Sequence, residues 1–254
     1  MNSVKVFVGT LIVLSALCFS SCAGNSMKNE KSVLLVVTNH KKLGTTGKMT
    51  GYYLPEVTHP YYKFVEAGLK VTFASPKGGK APMDPKSLDL KDPYNKKFYE
   101  NKELMKQLDN TIALKDVDPS DYGAIVFAGG HGTMWDFTNS KDLNNVAENI
   151  YSNGGVVAAV CHGPAALVNL KGKNGKPLIS GVKVTGFTNE EEEIVKLTNQ
   201  MPFLLETDLK KAGAVFEEAK PWQEKVVVDK RIVTGQNPAS ASKLGEEVVK
   251  LLRK

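Results

Sequence analysis

The sequence contains few arginines, although its formal net charge is +6. Arg231 and Arg253 are the two arginines among 33 basic residues, so lysine carries nearly all of the positive charge. Proteins that read nucleic acid favour arginine, whose planar fork binds phosphate and guanine, and they cluster their basic residues. The lysines of this chain are scattered without a basic block. This pattern predicts no nucleic-acid partner.

Histidines and cysteines are also scarce, with four of the former and three of the latter. The histidines stand at positions 40, 59, 131 and 162, and no pair has the i, i+4 spacing that places two metal ligands on one helix face. The glycine-rich segments match neither the dinucleotide-binding fingerprint nor the phosphate-binding loop that ends in Gly-Lys-Ser/Thr. We therefore expect no metal centre and no cofactor.

Repeats, linkers and low-complexity segments are absent from the body of the sequence as well. With 42% hydrophobic and 24% charged residues, the composition is that of an ordinary globular protein. A chain of 254 residues is long enough for one α/β domain or for two small domains, so size alone does not decide between them.

The amino terminus has the pattern of a bacterial export signal followed by a lipid-attachment site. Lys5 supplies a positive charge, and the apolar run Val6–Phe19 is too short to span a bilayer comfortably. Small residues then precede Cys22, an arrangement that resembles the lipobox of bacterial lipoproteins. We therefore predict a signal peptide over 1–21, a lipid anchor on Cys22 and a polar tether over 22–30.

This interpretation locates the protein in the bacterial cell envelope, on the periplasmic side or at the outer membrane, with membrane attachment through the lipid. Two alternatives stay open. One is an uncleaved membrane anchor, and the other is a simple secretory signal in which Cys22 is incidental and the protein is secreted.

The predicted processing leaves Cys161 as the single thiol of the mature domain. Cys18 lies within the signal, and Cys22 would be acylated. No internal disulfide is then possible. An exported domain that keeps one unpaired thiol in an oxidising compartment makes that thiol a candidate functional group.

Apolar runs rich in β-branched residues alternate with helical patterns over the rest of the chain, 31–254. Such runs are typical of strands buried on both faces, and their alternation with helices implies right-handed crossovers and a parallel sheet. Lys225–Thr234 indicates a β-hairpin. The sequence therefore predicts one doubly wound α/β domain, a mostly parallel sheet with helices on both faces and a small C-terminal hairpin. The predicted strands are Val33–Val37, Val71–Ala74, Ala124–Phe127 and Val156–Val160, and the predicted helices are His59–Ala67, Phe98–Leu108, Leu143–Tyr151 and Pro238–Leu252.

Cys161 follows the predicted strand Val156–Val160 directly, with Ala159 and Gly163 two positions before and after it. Small flanking residues allow the sharp strand-to-helix turn called a nucleophile elbow, which strains and exposes the nucleophile. A helix that begins after this turn is expected to point its positive end at the sulfur and to lower the thiol pKa. The spacing favours a nucleophilic cysteine, and a buried structural cysteine is the alternative.

A second predicted strand ends in the glycine-rich segment Ala128-Gly129-Gly130-His131-Gly132-Thr133. The carboxyl ends of neighbouring parallel strands share one crevice, so we expect this segment beside Cys161. We assign Gly130, His131, Gly132 and Gly163 to an oxyanion or substrate-binding site, because backbone N–H groups free of side-chain cover can hold a developing negative charge. Phosphate binding by the same glycine-rich turn is the alternative.

The segments 154–164 and 130–133 closely resemble the ThiJ/PfpI superfamily, in particular its glyoxalase III and heat-inducible chaperone branch. The resemblance covers about residues 31–252 and implies a flavodoxin-like sandwich of the class I glutamine amidotransferase-like type, often dimeric. The other segments that carry the resemblance are Glu56-Val57-Thr58-His59-Pro60, Ala74-Ser75-Pro76-Lys77-Gly78-Gly79, Val184-Thr185-Gly186-Phe187-Thr188, Pro221-Trp222 and Thr234-Gly235-Gln236-Asn237-Pro238-Ala239-Ser240.

This resemblance also implies a set of site residues. Cys161 and His162 correspond to the nucleophile pair, Glu56 to a glutamate near the first helix, and one residue of Glu190–Glu193 to a further acid. Spacing from the preceding matched segment favours Glu192. The alternative is that the four glutamates form an acidic first helical turn that interacts favourably with the helix dipole.

The resemblance and the elbow together predict a glutathione-independent glyoxalase, also called a D-lactate dehydratase. It would convert methylglyoxal or a related small 2-oxoaldehyde to a 2-hydroxy acid through a hemithioacetal on Cys161. Two alternatives stay open: an envelope stress holdase or redox sensor without turnover, and a cysteine peptidase or amidase. Glutamine amidotransferases share the elbow but use a histidine far downstream, and this chain has none after His162.

Overall fold

The computed structural model describes Met1 and residues 32–254. The predicted signal peptide, Cys22 and the tether therefore lie outside the described residues. Among the helices that are described, none is long and apolar enough to cross a membrane.

In chain order the strands are β1 (Ser32–Val36), β2 (Val71–Ser75), β3 (Ile112–Ala113), β4 (Tyr122–Phe127), β5 (Val156–Val160), β6 (Lys183–Val184), β7 (Val215–Phe216), β8 (Val226–Asp229) and β9 (Ile232–Gly235). Seven of them form the sheet at the centre of the domain, in the strand order β3-β2-β1-β4-β5-β9-β8. Neighbouring strands of this sheet are parallel except for the last pair, β8 and β9, which is antiparallel. Two short strands, β6 and β7, pair separately in parallel.

Helices and short 3₁₀ turns connect the strands. The helices are α1 (Leu54–Glu66), α2 (Pro93–Tyr99), α3 (Lys102–Asp109), α4 (Thr133–Asp136), α5 (Lys141–Ser152), α6 (Asn189–Ile194), α7 (Leu205–Lys211) and α8 (Ala241–Leu252). All five residues of β5 are buried, and successive residues of a strand point to opposite faces of the sheet. Both faces are therefore covered, and the predicted doubly wound, mostly parallel α/β class is confirmed.

The four predicted strands correspond to β1, β2, β4 and β5, and the predicted hairpin is formed by β8 and β9. Its turn lies at Lys230, where the backbone φ is 54°. The predicted last helix begins later than expected, because Pro238–Ser240 forms a 3₁₀ turn before α8.

Two other predicted helices also have wrong boundaries. Helix α1 begins at Leu54, five residues before the predicted start at His59, and Pro60 lies inside it rather than at its first turn. The proline that does occupy the first turn is Pro55, where the missing N–H has no helical partner to lose. This early start brings Glu56 onto the first turn of the helix.

The helix predicted over Phe98–Leu108 is two helices, α2 and α3. Asn101 separates them, because its side-chain oxygen accepts hydrogen bonds from the backbone N–H groups of Glu103 and Leu104. An asparagine that satisfies two N–H groups in this way starts a new helix rather than continuing the old one.

Candidate active site

The carboxyl ends of β1, β4 and β5 lie side by side in the sheet and open into one crevice. Cys161 stands immediately after β5 with a backbone φ of 59°, a left-handed conformation that L-residues other than asparagine and aspartate rarely adopt. Its N–H donates to the carbonyl of Gly235, and its carbonyl accepts from the N–H of Phe187. These two bonds hold the strained turn, and the predicted elbow is present.

A 3₁₀ turn, Gly163–Leu167, follows the elbow. Gly163 packs against the end of β4, where a β-carbon in its place would lie 2.3 Å from the carbonyl oxygen of Phe127. Glycine is therefore required at this position so that the elbow can lie against the neighbouring strand. It contributes packing and does not line the cavity described below.

A chain of polar contacts runs from the Cys161 sulfur through His162 to Glu192. The sulfur lies 3.3 Å from Nδ1 of His162, and Nε2 of the same ring lies 2.8 Å from one carboxylate oxygen of Glu192. The other carboxylate oxygen lies 3.1 Å from Nε2 of His131. One carboxylate thus bridges two imidazole rings, whose centroids are 4.1 Å apart.

The run of four glutamates is divided by the way helix α6 begins. The Thr188 hydroxyl and the Glu191 carboxylate bond reciprocally to each other's backbone N–H groups, which fixes the helix start as a capping box. Glu191 also accepts hydrogen bonds from the N–H of Trp222 and the side-chain amide of Asn237. The next residue, Glu192, is thereby directed at the histidines, while Glu190 and Glu193 are exposed.

Glu56 reaches the site from the other side. Its Oε2 accepts a hydrogen bond of 2.7 Å from the N–H of Gly129, and the carboxyl group is fully buried. Among the described residues its Oε1 has no hydrogen-bond partner, and the Cys161 thiol is a neighbouring group whose interaction with the carboxyl affects its pKa. Glycine is required at 129, because a β-carbon there would lie 2.6 Å from the Glu56 carboxyl.

The buried side chains of Glu56 and Cys161 both keep their protons to a higher pH than usual, because their pKa values are raised. Burial raises the pKa of Glu56 to about 8, although bonds to Cys161 and Gly129 oppose the rise. Burial, followed by the neighbouring Glu56, raises the pKa of the Cys161 thiol well above its ordinary value. The expectation that a helix lowers the thiol pKa was wrong, because only a short 3₁₀ turn follows the elbow and desolvation outweighs it. A base must therefore remove the thiol proton.

His162 and Glu192 have the opposite tendencies. Burial, and then the nearby His131, lower the pKa of His162, so that the ring is neutral at pH 7. Burial also disfavours the charge on Glu192, but His162 and His131 outweigh it and lower the carboxyl pKa to about 2. An ionised carboxylate only accepts hydrogen bonds, so both imidazole Nε2 atoms carry hydrogens. Nδ1 of His162 is then left with a free lone pair facing the sulfur.

The glycine-rich turn after β4 contributes unequally to the site. Gly130 has a φ of 98° and lines the cavity beside Cys161, and its N–H has no hydrogen-bond partner within the described part of the chain. Gly132 packs against Thr38 and the backbone of His40 instead. The structure therefore brings Gly130 and His131 to the cavity, but not Gly132.

The cavity above the sulfur has a volume of about 130 Å³ and is largely apolar. Phe187 lies against the ring of His162, with centroids 4.4 Å apart, and Trp222 contacts Phe187 from the mouth. Trp222 has a φ of 66° and is 46% exposed. Phe187 and Trp222 belong to segments that carry the family resemblance, but neither residue was predicted to take part in the site. The apolar lining consists of Leu43, Tyr53, Phe187, Val195, Leu197, Trp222 and Pro238.

His131, His162 and Glu192 also form a possible metal-ligand group, with one ligand atom from each lying within 4.8 Å of the others. No metal centre is expected from the sequence, because no two of its histidines have helical i, i+4 spacing. These three ligands come from three separate segments, the turn after β4, the elbow and helix α6, so helical spacing could not reveal them.

Comparison with known proteins identifies close relatives over most of the chain. The sequence profile of the DJ-1/PfpI family matches residues 49–251. Glyoxalase 3 of Candida albicans is 39% identical over 228 residues, which cover 85% of this chain and 96% of that protein. The glutathione-independent glyoxalase HSP31 of Saccharomyces cerevisiae is 38% identical over 222 residues, covering 83% of this chain and 93% of that protein.

Solved structures agree with the sequence relatives. The X-ray structure of the Rapid Encystment Protein 24 KDa of Francisella tularensis matches with a TM-score of 0.85 at 43% identity. The match covers 87% of this chain and 99% of that one. The span matched by the family profile, 49–251, contains the elbow, the glycine-rich turn and helix α6 of this chain.

Proposed function

This chain belongs to the DJ-1/PfpI family, and we propose that it is a glutathione-independent glyoxalase that converts methylglyoxal, or a related 2-oxoaldehyde, to the 2-hydroxy acid. One observation carries the proposal. The Cys161 sulfur lies 3.3 Å from Nδ1 of His162 and interacts electrostatically with the buried carboxyl of Glu56, so two groups that can exchange protons act on one thiol. A thiol with two such neighbours can add to an aldehyde and then have the adduct isomerised.

The first step is addition of the thiol to the aldehyde. Nδ1 of His162 takes the thiol proton while the sulfur bonds to the aldehyde carbon and the carbonyl opens to an alkoxide. The free N–H of Gly130 is suited to stabilise the negative oxygen. His162 then returns the proton to that oxygen, which gives a neutral hemithioacetal on Cys161.

The second step moves a proton from the former aldehyde carbon to the neighbouring ketone carbon. A group with a pKa near the working pH is best able both to take and to give a proton, and the pKa of Glu56 is raised to about 8. Ionised Glu56 removes the carbon-bound proton to give an enediol and returns it to the adjacent carbon. The hydroxyl proton passes between the two oxygens, and the product is a lactoyl thioester.

The last step is hydrolysis of this thioester. Water adds to the thioester carbon, the carbon–sulfur bond breaks, and the sulfur recovers a proton. The sum of the steps is methylglyoxal plus one water giving D-lactate. No oxidant, reductant or glutathione is consumed, because the carbon that is oxidised and the carbon that is reduced belong to the same molecule.

The size of the cavity supports a small substrate. A space of about 130 Å³ above the sulfur accommodates a three-carbon aldehyde, while a peptide would need an extended cleft. The cysteine peptidase or amidase alternative uses the same three side chains but lacks this support. The stress holdase or redox sensor stays an alternative prediction.

D-lactate formation from methylglyoxal in glutathione-free buffer tests the proposal. A folded protein that forms D-lactate at a rate proportional to its concentration would support it. A folded protein that forms none, and that instead releases the chromophore of a peptide or amide substrate, would favour the cysteine peptidase or amidase. Suppression of client aggregation without any turnover would favour the stress holdase.

We further propose, from the sequence pattern alone, that the chain is exported and acylated on Cys22. Metabolic labelling with a fatty acid tests this directly, since wild type should carry the label and Cys22→Ser should not. A cleaved, unlabelled wild-type protein would identify a simple secretory signal. Homodimerisation, which the family resemblance implies, is tested by light scattering of the purified protein.

A further inference from the structure

We propose that His131, His162 and Glu192 form a zinc-binding site whose occupation inhibits the enzyme. The inhibition, though not the binding, rests on the glyoxalase function proposed above. Zinc here is an inhibitor that prevents His162 from taking the proton of the Cys161 thiol. No step of the proposed reaction uses a metal.

The ligand atoms already converge on one point. Nε2 of His131 lies 3.1 Å from one oxygen of Glu192, and Nε2 of His162 lies 2.8 Å from the other. One nitrogen from each imidazole and one carboxylate oxygen all lie within 4.8 Å of one another. Tetrahedral zinc holds nitrogen and carboxylate ligands at roughly 2.0–2.2 Å, which places neighbouring ligands a little over 3 Å apart. Small ring movements would therefore bring the group to coordination distance.

The chemistry of the group suits zinc. Two imidazoles and one carboxylate form a set that proteins use for this ion, and they leave a fourth position for water. The carboxylate supplies a full negative charge in buried surroundings, where its side chain is 5% exposed. Binding replaces two N–H···O hydrogen bonds by coordination bonds. In each neutral imidazole the hydrogen moves from Nε2 to Nδ1 by exchange with solvent, which leaves the Nε2 lone pair for zinc and the ring neutral.

An ion can reach this point from the cavity. His131 lines the cavity wall, and its side chain is 16% exposed, whereas His162 and Glu192 lie deeper. His131 is thus the outermost ligand. His131 takes no part in the proposed thiol addition, which uses His162. Replacing His131 therefore tests metal binding without removing the base that takes the thiol proton.

Cys161 is not a ligand in this arrangement. Its sulfur lies beside Nδ1 of His162, on the opposite edge of the ring from the Nε2 that would bind zinc. Zinc on Nε2 instead prevents His162 from taking the thiol proton. Glu192 can no longer hold the Nε2 hydrogen, and a proton that moves to Nδ1 removes the lone pair that accepts the thiol proton.

Zinc titration against a chromogenic chelator tests the site without any need for turnover. We would use the full chain with Cys18 and Cys22 replaced by serine in every variant, which removes the other thiols. The expected result is one equivalent of zinc bound, with an affinity reduced about tenfold or more in His131→Ala. His59→Ala is the matched control, because His59 pairs with Asp92 outside the cavity, and its affinity should equal that of the wild type. Cys161→Ser should also bind normally.

Zinc-edge X-ray absorption of the wild type provides a test that needs no folded variant. Nitrogen and oxygen neighbours without sulfur would support the site. A sulfur neighbour, loss of binding in Cys161→Ser, unchanged affinity in His131→Ala, or no saturable binding would each overturn it.

The inhibition is tested separately. Saturating zinc should lower the rate of D-lactate formation about tenfold or more, and a chelator should restore it. Full turnover with one equivalent of zinc bound would overturn the inhibitory role. Zinc binding by a protein that has no glyoxalase activity would support the metal site and overturn the proposed function. Glyoxalase turnover by a protein that binds no zinc would support the proposed function and overturn the metal site.

Discussion

Glu192 lies 2.8 Å from Nε2 of His162, on the edge of the imidazole ring opposite the Cys161 sulfur. Because the carboxylate is ionised and only accepts hydrogen bonds, it keeps the hydrogen of the neutral ring on Nε2. The lone pair is then on Nδ1, 3.3 Å from the sulfur. A contact on the far side of the ring thus determines which nitrogen can act as the base.

Replacing Glu192 by glutamine should separate this role from simple packing. The amide can donate a hydrogen to Nε2, which favours the tautomer that places the ring hydrogen on Nδ1. We expect kcat/KM for methylglyoxal to fall by roughly 10²–10⁴-fold. Glu190→Gln, in the same run of glutamates but exposed, should match the wild type. Equal activity of the two variants would contradict the assignment of Glu192.

Glu56→Gln should remove proton transfer between the two substrate carbons. We expect a loss of turnover of roughly 10²–10⁴-fold, because glutamine cannot take or give that proton. Cys161 should still react with iodoacetamide, since its base is His162. Glu66→Gln is the control, as it lies at the exposed end of the same helix. Retained turnover in Glu56→Gln would assign the proton transfer to another group.

The pH dependence of kcat/KM should reflect the buried Glu56–Cys161 pair. Burial raises the pKa of Glu56 to about 8, so its ionised, basic form is scarce at pH 6 and increases as the pH rises. Activity should therefore rise by about tenfold per pH unit below pH 8 and level off above it. The apparent pKa of this limb belongs to the pair rather than to one residue. A rate independent of pH between 6 and 8 would contradict the account.

Gly129→Ala should damage the site through packing alone. The added β-carbon would lie 2.6 Å from the Glu56 carboxyl and 2.6 Å from the carbonyl of Val160. We expect the free energy of unfolding to fall by about 1–3 kcal/mol and turnover to fall with it, because Glu56 must move. The matched change Gly172→Ala meets its nearest atom at 3.3 Å, so the cost there should stay within about 0.5 kcal/mol. Equal unfolding free energies for the two variants, measured in urea, would contradict this reading.

The central strands and the elbow could be predicted because their signals are local. Runs such as Val156–Val160 are apolar at every position, which a strand buried on both faces requires. Gly163 is small because the elbow packs against the neighbouring strand. Both patterns can be found in a few consecutive residues.

The misplaced start of α1 has a different cause. Pro55 and Pro60 are both compatible with a first helical turn, and tertiary packing of the helix decides between them. The raised thiol pKa could not be predicted either. Burial depends on which segments cover Cys161, and those segments are distant in the sequence.

The role of Glu192 could be predicted from the sequence in part. The resemblance indicated the run Glu190–Glu193, and the pattern Thr188-x-x-Glu191 in that run is the signature of a capping box. Recognising the box would have assigned Glu191 to the helix start and left Glu192 free to face the site. The convergence of His131 with His162 and Glu192 has no such local signal, because it depends on three separate segments.

The most direct test of the account compares glutathione-free D-lactate formation by the wild type with that of Cys161→Ser. The hydroxyl is similar in shape but is a far weaker nucleophile, so the fold should be retained while addition to the aldehyde fails. We expect steady turnover by the wild type and background rates for the variant. Turnover by Cys161→Ser at the wild-type rate would contradict the hemithioacetal mechanism, whatever the product.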